Sequence, residues 1–299
     1  MKKTEYVKLI DTTRCTACRG CQVACKQWNE MPASRTRNFG SYQNPPDLQW
    51  NTWTLIRFQE YADKNGDFKW LFRKDGCMHC TEAACIKVCP SGALYHTDYG
   101  TVALNRSACI GCKACVSACP FDIPRYNQAT DKIYKCDLCY TRLHEGQKPA
   151  CVLSCPTGAI TIGEKKAMIE AAYNRVAKLD GKATVYGDKF VGGTHVMYIL
   201  SENPAAYDKL PSNPKVPASV ILWKNLFKPF TLIGMGAVAG MAALHYLIKG
   251  PHEVHETELK IKTIIDDWIE FVGVIDLIDQ NTIYEYKTGK SGLNAFDNI

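Results

Sequence analysis

Cysteine is absent from the last 144 residues of this 299-residue chain, although the first 155 residues contain all sixteen. A G-x-G-x-x-G motif is also missing, so no dinucleotide site is indicated. Gly289-Lys290-Ser291 resembles the end of a phosphate-binding loop, but Tyr284 stands where that loop needs glycine. A cleavable export signal would need an apolar stretch after Lys2 and Lys3, and the sequence has none there. We therefore expect a chain that faces the cytoplasm, or one that is exported together with a partner carrying the signal.

The sixteen cysteines fall into four groups of four. The groups are Cys15, Cys18, Cys21 and Cys25; Cys77, Cys80, Cys85 and Cys89; Cys109, Cys112, Cys115 and Cys119; and Cys136, Cys139, Cys151 and Cys155. The first and third groups have the C-x2-C-x2-C-x3-C spacing of bacterial ferredoxins, in which three thiolates bind one iron–sulfur cluster and the fourth binds its neighbour. Because no group lacks a member, the sequence predicts four 4Fe-4S clusters and sixteen cysteine ligands.

Other uses of cysteine fit this pattern less well. Disulfide frameworks belong to small secreted chains. Structural zinc uses separated pairs of cysteines and not triplets. Two-residue gaps, in contrast, let one tight loop present three soft thiolate ligands to a cluster.

The longer gap in the second and fourth groups indicates how the groups pair. Each ferredoxin unit should combine one compact and one expanded group, and residues 94–104 could form a hairpin between the second group and the third. The first group is then left for the fourth. This nested arrangement predicts four ligand sets: Cys15, Cys18, Cys21 and Cys155; Cys25, Cys136, Cys139 and Cys151; Cys77, Cys80, Cys85 and Cys119; and Cys89, Cys109, Cys112 and Cys115. Spacing alone leaves open a side-by-side pairing, first with second and third with fourth.

The charge of the chain does not indicate nucleic-acid binding. The formal net charge of +6 counts cysteines as neutral, whereas an oxidised cluster with four thiolates carries about −2. Residues 250–299 hold ten acidic and four basic side chains, which leaves a positive excess in the cysteine-rich part. We expect that excess to offset the clusters.

Several segments outside the cysteine groups have readable patterns. Runs at 52–59 and 68–73 flank an Asn-Gly pair and predict a β-hairpin beside the clusters. Residues 164–179 predict a helix, and residues 196–200 a buried strand. His195 could be a ligand, but a structural histidine is the more common role.

A single stretch of the chain is long and uncharged enough to cross a membrane. Residues 229–248 carry no formal charge and are flanked by Lys224, Lys228 and Lys249. They predict one transmembrane helix at 229–249, with a buried soluble helix as the alternative. Beyond it, apolar residues in 256–279 recur at partly helical spacing, which predicts a tail helix.

These expectations combine into an α+β fold with two nested bacterial-ferredoxin-like units. Residues 1–43 and 126–210 form the outer unit, and residues 44–125 form the inner unit with its β-hairpin insertion. A linker and pre-anchor segment (211–228), a transmembrane helix (229–249) and an acidic tail (250–299) follow.

Five segments together resemble the iron–sulfur (beta) subunit of membrane-bound respiratory formate dehydrogenase. They are residues 15–29, 73–80, 119–125, 134–139 and 191–198, which read CTACRGCQVACKQWN, RKDGCMHC, CPFDIPR, YKCDLC and VGGTHVMY. The likeness covers about residues 5–249, whereas the last fifty residues match nothing recognisable.

The resemblance implies an electron-transfer subunit without an active site of its own. Such a subunit receives electrons from a molybdopterin-containing catalytic subunit and passes them to a haem b membrane subunit and the quinone pool. It further implies that the Cys15 cluster faces the catalytic subunit, that the Cys89 cluster lies nearest the haem, and that the cluster region is periplasmic on a single-pass anchor in the inner membrane. The family's ligand pairing is the nested one.

Two alternatives to this function remain. Related four-cluster subunits serve nitrate, sulfoxide, polysulfide and hydrogen enzymes on the same scaffold. A chain that reduces a substrate at an exposed cluster is the other, but all sixteen thiols are already assigned as ligands and no other motif supplies a catalytic base.

Overall fold

The computed structural model describes residues 4–34, 36–62, 66–179, 181, 183–222, 240–241, 243–244, 259–265, 269–279 and 282–288. The chain divides into two compact units, Met1–Lys228 and Pro229–Ile299. All sixteen cysteines belong to the first unit.

The first unit contains short strands and short helices in alternation. In chain order they are β1 (Tyr6–Asp11), α1 (Gly20–Trp28), β2 (Leu55–Ala62), β3 (Phe68–Asp75), α2 (Ala84–Lys87), β4 (Leu94–His96), β5 (Val102–Leu104), α3 (Ala114–Ala118), β6 (Arg125–Asn127), β7 (Lys132–Tyr134), α4 (Tyr140–His144), α5 (Ala150–Leu153), β8 (Ile160–Glu164), α6 (Lys165–Val176), β9 (Thr184–Tyr186), β10 (Val196–Leu200) and α7 (Ala218–Leu222). This mixture of separate strands and helices is the predicted α+β class.

A four-stranded sheet with the strand order β8-β1-β10-β9 supports the unit. Strand β1 runs parallel to β10 and antiparallel to β8. One face packs against α6 through Val7, Leu9, Met197 and Ile199. The other face presents Ile10 to a core that also contains cysteines. Every residue of β10 is buried because both faces of the sheet are covered.

The helix predicted at 164–179 and the buried strand predicted at 196–200 are both confirmed, as α6 and β10. Strand β1 was not predicted, although its six residues form an inner strand of the sheet. Its lysine and aspartate interrupt the apolar run, which hides the strand from a reading of hydropathy alone.

Three two-stranded ribbons complete the first unit: β2-β3, β4-β5 and β6-β7. Strands β2 and β3 pair over their full length, from Leu55 opposite Asp75 to Ala62 opposite Phe68, which confirms the predicted hairpin. Its predicted turn at 63–65 lies outside the described residues. Strands β4 and β5 likewise confirm the hairpin predicted within 94–104.

The second unit shows that the predicted tail helix is wrong. Strands β11 (Leu259–Ile265), β12 (Ile269–Asp279) and β13 (Thr282–Thr288) form an antiparallel sheet in that order. The segment is rich in Ile, Val and Thr, whose branched side chains favour strands over helices. Partly helical spacing was therefore the weaker signal.

The transmembrane helix predicted at 229–249 lies almost wholly outside the described residues. Among the residues that are described, no helix is long and apolar enough to span a membrane.

Candidate iron–sulfur sites

The two compact cysteine groups adopt the same local structure. In each, the residue after the second cysteine has a left-handed backbone, with φ of 61° at both Arg19 and Lys113, and a helix starts at the next residue. The third cysteine is the second residue of that helix, Cys21 in α1 and Cys115 in α3. After this tight reversal, the first three thiols of each group line one cavity.

The two expanded groups form a second matching pair. Each has a four-residue helix with a cysteine as its second residue, Cys85 in α2 and Cys151 in α5, and a further cysteine just beyond it. Helix α1 packs against α5, and α2 packs against α3. In space, therefore, the first group meets the fourth and the second group meets the third.

Thiols from two groups line each of three internal cavities. The first site is lined by Cys15, Cys18, Cys21 and Cys155. The third site is lined by Cys77, Cys80, Cys85 and Cys119, and the fourth site by Cys89, Cys109, Cys112 and Cys115. The remaining thiols, which we call the second site, interact electrostatically with one another: Cys25, Cys136, Cys139 and Cys151.

Neighbouring sites meet through specific pairs of cysteines. Burial and, to a smaller extent, the nearby Cys151 of the second site raise the pKa of the Cys21 thiol to about 12. Cys77 of the third site packs against Cys25 and Cys136 of the second. Cys80 and Cys85 of the third site pack in one core with Cys109 and Cys115 of the fourth. The four sites therefore form a series, from first to fourth.

Burial raises the pKa of most of these thiols, so that deprotonation requires a strong favourable interaction. Burial raises the pKa of Cys25 and Cys85 to about 12, and that of Cys119 to about 11. The pKa of Cys89 is shifted the other way: burial alone would raise it, but hydrogen bonds from the Leu94 backbone and from Ser91 lower it. Metal coordination supplies the missing charge, because a bound thiol is deprotonated outright.

Three lysines are buried among the cysteines. Lys8, Lys74 and Lys135 are 1%, 3% and 3% exposed. Lys74 lines the first site and Lys135 lines the third. The positive excess could be predicted from the sequence but these positions could not, because a lysine in a strand is ordinarily solvent-exposed. The only sequence signal was that Lys135 immediately precedes Cys136.

Two buried histidines, His79 and His195, contact each other, and His79 directly precedes Cys80 of the third site. His79 accepts a hydrogen bond at Nδ1 from the Val102 backbone, while its buried Nε2 has no partner within the described part of the chain. His195 is fully satisfied, with Nδ1 2.9 Å from the His79 carbonyl and Nε2 3.2 Å from Glu5. A Cβ at Gly100 would lie 2.2 Å from the His195 ring, so the hairpin and this histidine are packed tightly. The structural role expected for His195 agrees with these contacts.

The residues present fit iron–sulfur clusters. Four soft sulfur donors line a cavity at three sites, and buried cations stand ready to balance negative charge. Within the described ranges, no three His, Cys, Asp or Glu side chains converge closely enough to hold a single metal ion. The fold and these sites define a ferredoxin-type iron–sulfur protein that carries four 4Fe-4S clusters.

Comparison with known proteins gives the family. Two families described as 4Fe-4S dicluster domains match residues 14–93 and 68–165, and one described as formate dehydrogenase N, transmembrane, matches residues 216–258. The nitrate-inducible formate dehydrogenase iron–sulfur subunit of Escherichia coli is 46% identical over 264 residues, 86% of this chain and 90% of that protein. The formate dehydrogenase iron–sulfur subunit of Haemophilus influenzae is 44% identical over 264 residues, 86% of this chain and 84% of that protein. The chain belongs to the formate dehydrogenase iron–sulfur subunits.

Proposed function

We propose that this chain is the non-catalytic electron relay of a membrane-bound formate dehydrogenase. Each bound cluster supplies one-electron redox chemistry. The residues that hold the clusters are the sixteen cysteines in the nested sets that the sequence predicts, one set at each of the four sites. The side-by-side pairing is disfavoured, because the thiol of Cys155 lines the same cavity as those of Cys15, Cys18 and Cys21.

The observation that carries the proposal is the single series of sites. Cys21 and Cys151 join the first site to the second, Cys136 and Cys77 join the second to the third, and Cys85 and Cys115 join the third to the fourth. A series with two distinct ends suits a conductor between two partners. An enzyme acting at one exposed cluster would not need the other three.

The C-terminal part of the first unit marks one end of this series. Val220 of α7 is 4% exposed and packs in one cluster with Ala84, Ala118 and Val88, and Val88 directly precedes Cys89 of the fourth site. Residues 216–258, which match the transmembrane family, begin at this point. The fourth site is then the exit toward the membrane, and the first site faces the electron donor.

The partners follow from this polarity. We assign a molybdopterin-containing catalytic subunit that oxidises formate to the first site, and a haem b membrane subunit to the fourth. Residues 229–249 anchor the chain in the inner membrane by a single helix, with the sites on the periplasmic side. The acidic tail, 250–299, is then cytoplasmic.

Replacement of one ligand at the exit site tests the relay. Cys115→Ala removes a thiol from the fourth site only. We expect iron to fall from about 16 to about 12 atoms per chain, with the other three sites still reducible by formate and transfer to haem abolished. Electron paramagnetic resonance of the formate-reduced complex, together with haem absorbance, makes the measurement. Ser117→Ala, in the same helix, is the matched control.

Unchanged haem reduction in Cys115→Ala would overturn the order of the sites. An iron content near eight in the wild-type chain would overturn the ligand sets themselves. Protease added to right-side-out spheroplasts tests the orientation: exposed loops of the first unit should be cut while the tail stays intact.

A further inference from the structure

Lys74 occupies an unusual position for a charged side chain. It lies near the end of β3, opposite Ile56 of β2, and is only 3% exposed. Its neighbours Arg73 and Asp75 belong to the opposite face, because side chains alternate along a strand. Asp75 is fully engaged there, with Oδ2 2.6 Å from Arg57 Nε and Oδ1 3.0 Å from Arg73 Nη1.

Within the described part of the chain, therefore, the Lys74 ammonium has no carboxylate to neutralise it. Among the described residues no Asp or Glu oxygen lies within 4.0 Å of its Nζ atom, and its hydrogen-bond partner is Thr54 Oγ1 at 3.2 Å. An ammonium group has three protons to donate. A buried charge without a counter-charge is strongly unfavourable. The compensating negative charge must come from another group that faces this side of the hairpin.

The groups on that side are cysteines of two different sites. Lys74 lines the first-site cavity together with Cys15, Cys18, Cys21 and Cys155. Although burial would lower the pKa of Lys74, the thiols of Cys151, Cys136 and Cys21 raise it above the ordinary lysine value. In return, Lys74 favours the thiolate forms of Cys21, Cys25 and Cys136, against the effect of burial. One ammonium thus lies between the first site and the second.

Thr54 fixes the ammonium in this place. Its hydroxyl accepts from Lys74 Nζ and also hydrogen-bonds the Cys25 thiol of the second site. Gly76 leaves room for the group, since a Cβ there would lie 3.6 Å from Lys74 Nζ and 3.2 Å from the Trp53 carbonyl. These contacts restrict the position of the Lys74 ammonium group.

We propose that Lys74 is the shared counter-ion of the first and second sites and raises the reduction potentials of both. The inference rests on the ligand sets proposed above. Reduction adds one electron and one negative charge to a site without making or breaking a bond. A fixed positive charge nearby stabilises the reduced form by Coulomb attraction, more strongly in a buried environment than in water. A single lysine would therefore keep the first two steps of the relay matched in energy.

The test is a redox titration of the full-length chain with its copurifying subunits, followed by electron paramagnetic resonance. The variants are Lys74→Met and Lys74→Gln, which remove the charge, and Lys74→Arg, which keeps it. Lys166→Met, on the exposed side of α6, is the surface control. Titration steps missing from Cys21→Ala and Cys139→Ala identify the first and second sites.

In the neutral variants we expect both of these steps to shift at least tenfold toward the oxidised form, which is about 59 mV for a one-electron couple. The steps of the third and fourth sites should stay in place, and Lys74→Arg should titrate close to the wild type. Loss of first-site and second-site iron in Met and Gln but not in Arg would equally support the counter-ion, because the charge would then be needed to retain the clusters.

Three results would overturn the inference. They are potentials that do not change in the neutral variants, a shift confined to one site or spread over all four, and iron loss in Lys74→Arg as severe as in Lys74→Met. The last would show that Lys74 acts by shape alone. A wild-type iron content below about 16 per chain would instead refute the ligand sets, so the two proposals fail in different ways.

Discussion

The two ends of the series and its middle differ in exposure. The first and fourth sites each include one exposed cysteine, Cys18 and Cys112, whereas all four cysteines of the second site are buried and none of the third site is exposed. Cys18 and Cys112 are the second cysteines of the two compact groups, so the same loop serves both ends. The series of sites is therefore accessible to solvent at its two ends and buried between them.

The supporting structure differs along the series as well. The first and second sites share a core with the central sheet, including Ile10 and the Tyr198 ring. In the fourth site, Cys109 and Cys115 pack against Leu94 and Val102 of the short β4-β5 ribbon. Small units of this kind depend on bound metal for stability. We therefore expect the fourth site to be the more labile.

The largest effect should follow from removing a thiol of the second site, which lies in the buried middle of the series. Cys139→Ala removes a buried thiol of the second site, which is one of its four proposed ligands, and leaves a cavity where the thiol was. We expect loss of about four of about 16 iron atoms per chain, with formate reducing only the first site and electrons reaching neither the third nor the fourth. Iron analysis and electron paramagnetic resonance measure this. Ser154→Ala, which lies close by without being a ligand, should keep all four sites. Reduction of the fourth site in Cys139→Ala would show that the sites are not a single series.

Chelation compares the ends with the middle directly. A ferrous chelator added to the oxidised free chain should remove iron in two phases, because it reaches the exposed Cys18 and Cys112 sites before the buried second site. About half of the iron should leave in the fast phase. Binding of the partner subunits should slow that phase selectively. A single-phase release would mean that the difference in exposure has no kinetic consequence.

A charged side chain should break the packing of α7 against α2 and α3. Val220→Asp would bury a carboxylate without a partner beside Ala84 and Ala118, at a cost of ~3 kcal/mol. We expect α7 to detach and the chain to become sensitive to protease near residue 217. Ile221→Asp is the matched control, since Ile221 is 46% exposed. Equal protease sensitivity of the two variants would show that Val220 does not hold the segment.

A smaller effect should come from the ion pairs around Asp47. Its carboxylate contacts Arg57 at 2.6 Å, Arg125 at 3.2 Å and Lys209 at 2.6 Å, and so ties the hairpin to β6 and to the end of the first unit. Burial alone would raise the pKa of Asp47, but Lys209 and Arg57 lower it to about 2. The folded pKa is below the ordinary value, so the stabilisation is complete above about pH 5 and is lost as pH falls toward about 2.

We therefore expect Asp47→Asn to lower the free energy of unfolding by about 1 kcal/mol, by the same amount at every pH from about 6 to 9. Denaturant unfolding followed by circular dichroism measures it. Glu170→Gln, exposed on α6, should change stability by less than about 0.5 kcal/mol. A pH-dependent difference within that range would mean that a group other than Asp47 is responsible.

Much of the fold could be predicted where the signal is local. The β2-β3 hairpin follows from two apolar runs around a turn, and α6 and β10 follow from their own periodicity. The same kind of reasoning gave a wrong prediction, a helix, for the tail. Residues 259–279 have both partly helical spacing and a high content of β-branched residues. Strand β1 was missed because Lys8 is polar in the sequence yet buried in the fold.

The sequence by itself determined the number and kind of sites. Cysteine spacing decides which thiols one loop can present together, and the steric limits of a tight turn act within a few residues. Spacing favoured a nested pairing of the groups but left a side-by-side pairing open. Which groups meet in space, the order of the four sites, and the exposure of Cys18 and Cys112 were decided only by the tertiary structure. The position of Lys74 was also decided only by the tertiary structure, because the energy of a buried charge depends on which groups surround it. Here those groups include Cys21, which precedes β3 in the sequence, and Cys151, which follows it.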